Sequence, residues 1–383
     1  MRLGINGIRL LGQRSGVGRA IEAMLRWLGE LDHPFTEIRI YTPAPLPADV
    51  YLPPLAKSIV RPSALSFGLW EQLVLPIVHR GDDLLLCPSY VAPILARGQI
   101  LLVHHGSYEG YPRALSWWQR QKTRVLYSAS AHRATHITTV SEHSKREIVR
   151  HYGVAADKIT VVPEGVDTTL FRPITEPSVL SRWRAERLGA DVPFIMYAGK
   201  PTARRNLPAL IEAFGRVKDS LKLPHKLVLF GMALPGSPIE KDIAQSAVAR
   251  DIVSIGFASH EELAVAYNAA GLFIYPSSYE GFGMPVLEAM ACGVPAIALN
   301  KTAFPEFAAS AALLLPDAKV ETLADGIARV LSDAELRRRM GKEGVRRAAD
   351  YDWSKVIAKY IAIMSRLAGT GASCALSALY ALA

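Results

Sequence analysis

The chain alternates short apolar runs with amphipathic helical stretches along most of its 383 residues, and this alternation limits what it can fold into. Short apolar runs between helices are typical of parallel strands that are buried on both faces. The pattern therefore predicts an α/β fold with doubly wound parallel sheets. The candidate strands are residues 2–6, 36–42, 57–61, 83–87, 99–104, 135–140, 158–162, 193–198, 226–230, 252–256, 271–276, 295–299 and 311–315.

Helix signals lie between the apolar runs. The stretch from Ser15 to Leu31 carries its large apolar residues on one face. Ser141 is placed to cap a helix that ends at Gly153, and Ser259 with Glu262 has the spacing of a capping box. These signals agree with the strand assignment, because each falls between two candidate strands.

The length of the chain predicts two domains rather than one core. A break after residues 161–173 separates residues 1–172 from residues 173–352, and each part has enough strands for a Rossmann-like, doubly wound sheet. In such sheets ligands bind at the carboxyl ends of the strands, so we expect a ligand cleft between the two domains. A last helix is predicted at 353–367, followed by a tail of small and apolar residues at 368–383.

Composition restricts the partners and the compartment. The formal net charge is +9, with the excess mainly in residues 1–172, which suits an anionic substrate or an anionic lipid surface. The chain has no dense basic block, which argues against nucleic acid as a partner. Its three cysteines are scattered, and neither a signal peptide nor a long apolar segment is evident. We therefore expect a cytoplasmic protein, with peripheral contact to a membrane left open.

The segment around two glutamates, Glu280 and Glu288, has the features of a binding site. It follows the apolar run 271–276, and Pro285 marks the start of a short helix. The backbone N–H groups at this helix start belong to Phe282, Gly283 and Met284. A helix N-terminus attracts anions such as phosphate, and the two carboxylates can accept hydrogen bonds from adjacent hydroxyls. Phosphate donors beside hydroxyl acceptors indicate a sugar nucleotide.

Two further loops carry candidate phosphate ligands. Three cations, Lys200, Arg204 and Arg205, follow the first strand of the second domain, where they can hold a diphosphate or form a solvated basic loop. Gly16 and Gly18 follow the first strand of the chain, but Ile21 stands where a dinucleotide fingerprint has its third glycine. The glycine loop is therefore a poor nicotinamide site, and it remains either a close approach to an anion or a plain turn.

A histidine pair, His104 and His105, ends the candidate strand at 99–104. A neutral imidazole at the open edge of a sheet can bond a sugar hydroxyl, whereas an isolated histidine is more often structural. No other ligand has the spacing of a zinc site, so no metal is expected. The basic and aromatic stretch 111–127 and the stretch 67–73 around Trp70 are each either an interfacial segment or a helix packed on its own domain.

Together these segments resemble the retaining glycosyltransferases of family four, which have the two-domain GT-B fold. Glu280 and Glu288 match the family's Glu-x7-Glu signature, and the residues after Glu280 continue it as Gly-Phe-Gly-Met-Pro-Val-Leu-Glu-Ala-Met. The segments 140–145 and 158–171 also resemble family segments. The resemblance runs from Gly16 to about residue 353, which is nearly the whole chain.

The resemblance implies a role for each matching residue of the second domain. Glu280 resembles the glutamate that contacts the transferred sugar, and Glu288 resembles the one that binds the nucleotide ribose. Arg205 stands where the family usually has a lysine on the diphosphate. Lys200 stands where many members have arginine or an uncharged residue.

In the first domain the resemblance gives matches and two departures. Gly16 and Gly18 match a loop near the phosphates, and His104 matches a histidine near the transferred sugar. His105 stands where an aspartate is common, and Glu164 stands where asparagine or histidine is common. These departures bear on the contacts to the acceptor or the sugar.

The resemblance implies a retaining, metal-independent transferase, with Glu280 and His104 as catalytic residues and with no cofactor besides the nucleotide-sugar substrate. GDP-mannose is the favoured donor, and the expected acceptor is a saccharide or a lipid-linked saccharide. Three alternatives remain open: a sugar phosphorylase, a sugar-nucleotide epimerase, and a non-catalytic subunit that binds a sugar nucleotide.

Overall fold

The computed structural model describes residues 1–12, 16–106, 116–231 and 238–369, and the chain divides into two compact units. The first unit holds the chain up to Gly165 together with the chain from Trp353, and the second spans Val166–Asp352. The division comes earlier than the predicted end of the first domain at residue 172. The cause is that the Val166 N–H donates to the Tyr351 carbonyl oxygen at 2.8 Å, which ties this segment to the end of the second unit.

Thirteen strands form the two sheets. Their bounds are β1 Arg2–Asn6, β2 Glu37–Thr42, β3 Ala56–Val60, β4 Leu84–Cys87, β5 Gln99–Val103, β6 His136–Thr139, β7 Ile159–Val161, β8 Phe194–Ala198, β9 Lys226–Phe230, β10 Ile252–Ile255, β11 Leu272–Tyr275, β12 Ala296–Leu299 and β13 Ala312–Leu315. Each strand overlaps a predicted apolar run, and its ends differ from the predicted ones by at most one residue.

Fourteen helices lie within the described ranges. Their bounds are α1 Gly16–Leu28, α2 Phe67–Leu73, α3 Leu75–Val78, α4 Trp117–Arg133, α5 Glu142–Tyr152, α6 Pro177–Leu188, α7 Leu207–Leu221, α8 Pro238–Gln245, α9 His260–Ala269, α10 Met284–Ala291, α11 Phe304–Ala308, α12 Val320–Ser332, α13 Ala334–Ala348 and α14 Trp353–Leu367. None of these helices is both long and apolar enough to span a bilayer.

Both sheets are entirely parallel and reverse their strand order at one point. In the first unit the order is β3-β2-β1-β4-β5-β6-β7, so the reversal lies between β1 and β4. In the second unit the order is β10-β9-β8-β11-β12-β13, so it lies between β8 and β11. The loops that follow these strands diverge at the reversal, which is where ligands bind in open α/β sheets.

Local signals set the ends of several helices as predicted. The Ser141 hydroxyl accepts from the Ser144 N–H, and Gly153 ends α5 in the left-handed region at φ 67°. The Ser259 hydroxyl accepts from the Glu262 N–H at the start of α9, which is one of the two hydrogen bonds of the predicted capping box.

The last helix, α14, belongs to the first unit and packs on α1. A Cβ atom on Gly165 would lie 2.5 Å from the Trp353 indole, so this close approach requires glycine. The parts of the predictions that concern residue 15, residues 111–115 and residues 370–383 lie outside the described residues.

Candidate functional site

The candidate site of the second unit is built from the two loops that follow β8 and β11 at the reversal of strand order. The Ser278 N–H donates to the Arg204 carbonyl oxygen at 2.7 Å and joins the loops directly. Asn206 adds a second connection, because its side-chain amide donates to the Pro276 carbonyl oxygen at 2.7 Å and to the Ser278 hydroxyl at 2.8 Å. Asn206 has φ 50°, a left-handed conformation that asparagine tolerates better than most residues. The two loops therefore form one hydrogen-bonded unit.

The Glu280 carboxylate lies at the centre of this unit, nearly buried, and accepts from several donors. Its Oε1 atom accepts from the Tyr275 hydroxyl at 2.9 Å and the Ser277 hydroxyl at 3.0 Å. Its Oε2 atom lies 2.7 Å from Nη1 of Arg204, and its Oε1 atom lies 3.4 Å from Nε of Arg205. A buried carboxylate surrounded by donors and cations is held as an anion in one orientation.

The two arginines beside Glu280 are held differently. Arg204 also donates to the Tyr279 carbonyl oxygen, and about a quarter of its side chain (26%) remains exposed. Arg205 donates to the Lys200 carbonyl oxygen at 2.8 Å and lies over the Tyr275 ring. Burial lowers the pKa of Arg205, but the charges of Tyr275 and Glu280 outweigh it and raise the pKa above its usual value. The Arg205 guanidinium is therefore a permanent cation.

Lys200 lies on the exposed side of the same loop. Its Nζ atom is 6.0 Å from the centre of the Phe257 ring, and the structure records no ion pair for it within the described residues. The preceding residue, Gly199, has φ 151°, and a Cβ atom there would lie 2.6 Å from Nη1 of Arg205. The backbone conformation favours glycine at this position, and a larger residue would also displace the Arg205 guanidinium.

The start of α10 presents backbone N–H groups to the same edge of the sheet. Within the described residues, the N–H groups of Phe282, Gly283 and Met284 have no recorded acceptor in the protein. Gly283 has φ 118°, and a Cβ atom there would lie 2.5 Å from Phe304. The Phe282 ring is buried and stacks on Phe307 at 4.5 Å between ring centres. The packing against Phe304 and Phe307 thus fixes the backbone of Phe282 and Gly283, and the N–H groups of this backbone can bind an anion.

Glu288 is almost completely buried within α10, at 3% exposure. Its Oε2 atom accepts from the Tyr267 hydroxyl at 3.0 Å. This contact orients the carboxylate from the α9 side. The structure thus gathers Lys200, Arg205 and Glu280 into direct contacts and places Glu288 on the helix that Phe282–Met284 begin.

Gly16, Gly18 and His104 belong to the first unit, apart from these residues. Gly16 begins α1, and a Cβ atom there would meet nothing within 4 Å, whereas Gly18 is buried in the first turns of the helix. Both glycines thus follow β1 at the reversal of the first sheet, as the loop pattern predicted. Their role near the phosphates stays a prediction.

His104 differs from expectation, because its side chain is not exposed. It is fully buried, with the rings of Tyr90, Tyr127 and Tyr152 between 5.2 and 5.4 Å away. Neither ring nitrogen has a hydrogen-bond partner among the described residues. Burial, followed by the charge of His105, lowers the pKa of His104 to about 3, so the imidazole is neutral. Its catalytic role stays a prediction, and in this structure the ring is a core group.

His105 and Glu164, the two departures from the family pattern, are in contact. Nδ1 of His105 lies 3.1 Å from Oε1 of Glu164, and Nε2 lies 3.3 Å from the Pro88 carbonyl oxygen. Both neighbours are hydrogen-bond acceptors. The pair is thus anchored on the Pro88 carbonyl oxygen through His105. Together with Trp353 and Tyr360 it lines a cavity of about 20 Å³, room for one water molecule.

Sequence reasoning missed two residues that hold Glu280, Tyr275 and Ser277, and it placed Arg204 only among three cations for a diphosphate. Tyr275 was visible as the last residue of a buried strand. Ser277 gave no signal of its own. Within the described residues no group of three or more histidine, cysteine or acidic side chains could hold a metal ion, and metal independence stays a prediction.

Comparisons with known proteins agree with this site and this fold. The model of the glycosyl transferases group 1 matches residues 183–347, and the model of glycosyltransferase family 4 matches residues 14–170. The chain is 31% identical to the MMP alpha-(1->4)-mannosyltransferase of Mycolicibacterium hassiacum, over 68% of this chain and 62% of that protein. It is 30% identical to O-antigen chain mannosyltransferase B of Escherichia coli, over 57% of each. The matches thus cover less than two thirds of these relatives' length.

Solved structures share the fold at low identity. Sucrose-phosphate synthase from Thermosynechococcus elongatus has a TM-score of 0.78 and 20% identity, covering 97% of this chain and 100% of that one. HepE from Anabaena, in complex with UDP and glucose, has a TM-score of 0.78 and 18% identity, covering 96% and 100%. With the two family models and the parallel sheets, these likenesses confirm the fold and the family predicted from the sequence: the chain belongs to the family 4 glycosyltransferases and has the GT-B fold.

Proposed function

We propose that the protein transfers a hexosyl group from a nucleoside-diphosphate sugar to a saccharide or a lipid-linked saccharide, with GDP-mannose as the favoured donor. The observation that carries the proposal is the Glu280 carboxylate between Arg204 and Arg205, at the carboxyl ends of β8 and β11. An acceptor for sugar hydroxyls and permanent cations for phosphate lie together there. The alpha-mannosyltransferase and the O-antigen mannosyltransferase among the relatives support mannose as the sugar.

Charge stabilisation of the leaving group explains how such a site works. As the glycosidic bond breaks, negative charge develops on the departing nucleoside diphosphate. Arg205, with Arg204 and Lys200 on the same loop, supplies fixed positive charge, and the N–H groups at the start of α10 supply oriented donors. Preorganised groups of this kind are the largest contribution to many enzymatic rate enhancements. They perform the task that a metal ion performs in other transferases.

The two glutamates bind different parts of the donor. Glu280 is an anion fixed by hydroxyl donors and guanidinium groups, so it accepts from sugar hydroxyls and stabilises positive charge on the oxocarbenium-like sugar. Glu288, oriented by Tyr267, accepts from the ribose hydroxyls of the nucleotide. Gly16, Gly18 and His104 keep their predicted parts, near the phosphates and the sugar.

The proposed donor and the product named for a relative support retention of configuration. GDP-mannose carries an α-linked mannosyl group, and the relative's printed name gives an alpha-linked product. An α donor that yields an α product is transferred with retention. We propose the same outcome here, with the acceptor hydroxyl attacking from the face of the leaving group.

Binding of the nucleotide is tested first. Thermal shifts are recorded with GDP, UDP, ADP and their sugars, each at about 100 times its dissociation constant, where binding adds about 2.7 kcal/mol of stability. We expect GDP and GDP-mannose to give the largest shifts. Arg205→Ala abolishes the shift, whereas Lys222→Ala, which removes an exposed cation on the far end of α7, preserves it. Absence of a shift with every nucleoside diphosphate would refute the donor site.

Transfer is tested second, with GDP-mannose and a panel of saccharide and lipid-linked acceptors. The anomeric configuration of the product is read by nuclear magnetic resonance, and an α-linked product is expected. Inorganic phosphate acting as the acceptor would indicate a phosphorylase, and an isomerised donor would indicate an epimerase. Donor binding without any reaction across the panel would indicate a binding subunit.

A further inference from the structure

One surface of the first unit exposes apolar side chains from three neighbouring segments. We call it the apolar-basic face and define it by α2 and α3, residues 92–98, and α4. Its exposed large apolar residues are Phe67, Leu69, Leu73, Ile77, Ile94, Leu95, Trp117, Trp118 and Val125, with exposed fractions from 39% for Ile94 to 77% for Trp118. Large apolar patches on a surface indicate an interaction site, whereas single exposed apolar residues do not.

Hydrogen bonds join the three segments into one surface. The Gln72 side chain on α2 donates to the Ala92 carbonyl oxygen at 3.2 Å and accepts from the Ile94 N–H at 3.0 Å. From the other side, the Ser130 hydroxyl on α4 donates to the same Ala92 oxygen at 3.2 Å. Arg133 of α4 donates to the Ala96 carbonyl oxygen at 2.8 Å. Residues 92–98 are therefore fixed between α2 and α4.

The α2–α3 segment is apolar on its outer side as well as its inner side. Trp70 and Leu75 are fully buried in the core, which accounts for the inner side. Leu69, Leu73 and Ile77 follow at intervals of four residues, and about half of each side chain is exposed. A helix that is apolar all round is normally covered on both sides. Trp70 thus packs in the core of its own unit, whereas the apolar side chains on the outer side of the segment are not covered by the described part of the chain.

The charges of this face have one sign. Exposed cations flank the apolar residues: Arg61, Arg80, Arg97, Lys122 and Arg124. Across residues 61–80, 92–98 and 116–133 there is one acidic residue, Glu71. It is buried and accepts from the Asn6 amide at 2.7 Å, so it offers no negative charge to the surface. Apolar and aromatic side chains surrounded by cations alone are complementary to an anionic lipid surface.

We propose that the apolar-basic face docks on the surface of an anionic lipid bilayer. The outer side chains of α2, α3 and residues 92–98 enter the boundary between headgroups and acyl chains, with Trp117 and Trp118 at headgroup level. The flanking cations contact the anionic headgroups. The inference rests on the first unit alone and does not depend on the proposed donor or reaction.

Vesicle sedimentation tests the docking without any substrate. The probes are vesicles of phosphatidylcholine alone and vesicles with about 30% phosphatidylglycerol, at low and at high salt. We expect binding to the anionic vesicles at low salt, and weak binding to phosphatidylcholine. Each cation near an anionic surface contributes about fivefold in affinity, so Lys122→Gln with Arg124→Gln lowers binding about 25-fold. Leu69→Ser with Leu73→Ser and Ile77→Ser lowers it at least tenfold.

Matched controls place the same chemical changes on the second unit. Arg339→Gln with Lys342→Gln removes two exposed cations from α13, and Val179→Ser with Leu221→Ser removes exposed apolar side chains from α6 and α7. Both controls keep wild-type vesicle binding. Thermal unfolding shows that every variant is folded, and calorimetry with GDP reports the donor site independently in each one.

Three outcomes would overturn the proposal. The first is equal binding of the wild type to neutral and anionic vesicles, or to neither. The second is unchanged binding of the cation and apolar variants. The third is a concentration-dependent dimer in sedimentation equilibrium that the Leu73 variants dissociate, without vesicle binding, because a second copy would then cover the face.

Discussion

Replacing Glu280 by glutamine separates two effects of its carboxylate, because donor binding and sugar transfer respond in opposite directions. The carboxylate accepts from the side chains of Arg204, Arg205, Tyr275 and Ser277. Glutamine keeps the shape of glutamate but carries no negative charge, and its amide nitrogen only donates. Because arginine accepts nothing, at least one of the two guanidinium groups loses its acceptor on residue 280.

The loss of stability follows from the same contacts. The amide oxygen is expected to face Arg204, since the hydroxyls of Tyr275 and Ser277 can turn to accept from the amide nitrogen. The hydrogen bond from Arg205 to Oε1 is then lost. A hydrogen bond to a charged group contributes about 1.5–3 kcal/mol. In a unit of this size each kcal/mol shifts Tm by about 2–4 °C, so Tm of the second unit falls by about 3–12 °C.

Affinity for the nucleoside diphosphate changes in the other direction. Two unit negative charges about 8 Å apart repel each other by about 2 kcal/mol at an effective dielectric constant of about 20, which sets the scale on which Glu280 would oppose a bound diphosphate. The variant removes this repulsion and frees cations for the phosphates. We expect calorimetry at low salt to show GDP binding about 30-fold tighter, while transfer falls by about 10²–10³-fold.

The control is Glu321→Gln, which removes the same charge from the exposed side of α12. Its GDP affinity and transfer rate stay at wild-type values. GDP affinity that is unchanged or weaker in folded Glu280→Gln would refute the reasoning, because Glu280 would then not oppose the diphosphate.

Three further predictions concern backbone geometry and buried histidines. Gly283→Ala places a Cβ atom 2.5 Å from a phenylalanine ring, whereas at Gly189 φ is also positive but the space is open. Chemical denaturation should therefore show a larger loss of unfolding free energy for Gly283→Ala than for Gly189→Ala. Equal losses would mean that the ring contributes nothing to the effect. Burial lowers the pKa of His104 to about 3, so between about pH 3 and 6.5 the unfolded chain binds a proton that the folded chain does not bind. The free energy of unfolding therefore decreases as the pH is lowered, by about 2 kcal/mol from pH 6.5 to 5. His104→Phe should lose this part of the pH dependence, and an unchanged difference in Tm between pH 7 and 5 would contradict the burial. A double-mutant cycle of His105→Asn and Glu164→Gln should give a coupling energy of about 1–2 kcal/mol in urea denaturation, whereas additive losses would mean that the pair contributes nothing as a pair.

Much of the fold was predictable because strands that are buried on both faces consist of continuous apolar runs, which can be recognised in the sequence. Local hydrogen bonds added the helix ends, as the Ser141 cap and the Gly153 stop of α5 show. The predicted end of the first domain, residue 172, lies beyond the observed division after Gly165. The reason is that Val166 pairs with the far end of the second unit, which is a contact between residues distant in the chain. No local pattern indicates such a contact.

The sequence predicted which loops form the site, but not which side chains contact one another within it. Glu280 and the loop of Arg205 were assigned to one site because both follow buried strands, and parallel strands end at one edge. Which donors hold Glu280 depends on how β8 and β11 pair, and Arg205 and Glu280 are 75 positions apart in the chain. The orientation of His104 depends similarly on tyrosines from three separate segments.

The contact between His105 and Glu164 changes what the two departures from the family mean. As sequence positions they suggested two separate alterations of acceptor or sugar contacts. In the structure each is the other's partner, with Nδ1 and Oε1 3.1 Å apart. His105 has a partner on each ring nitrogen, Glu164 on Nδ1 and the Pro88 carbonyl oxygen on Nε2. Either residue alone would leave a nearly buried acceptor or charge without a partner, so the two departures constitute one change.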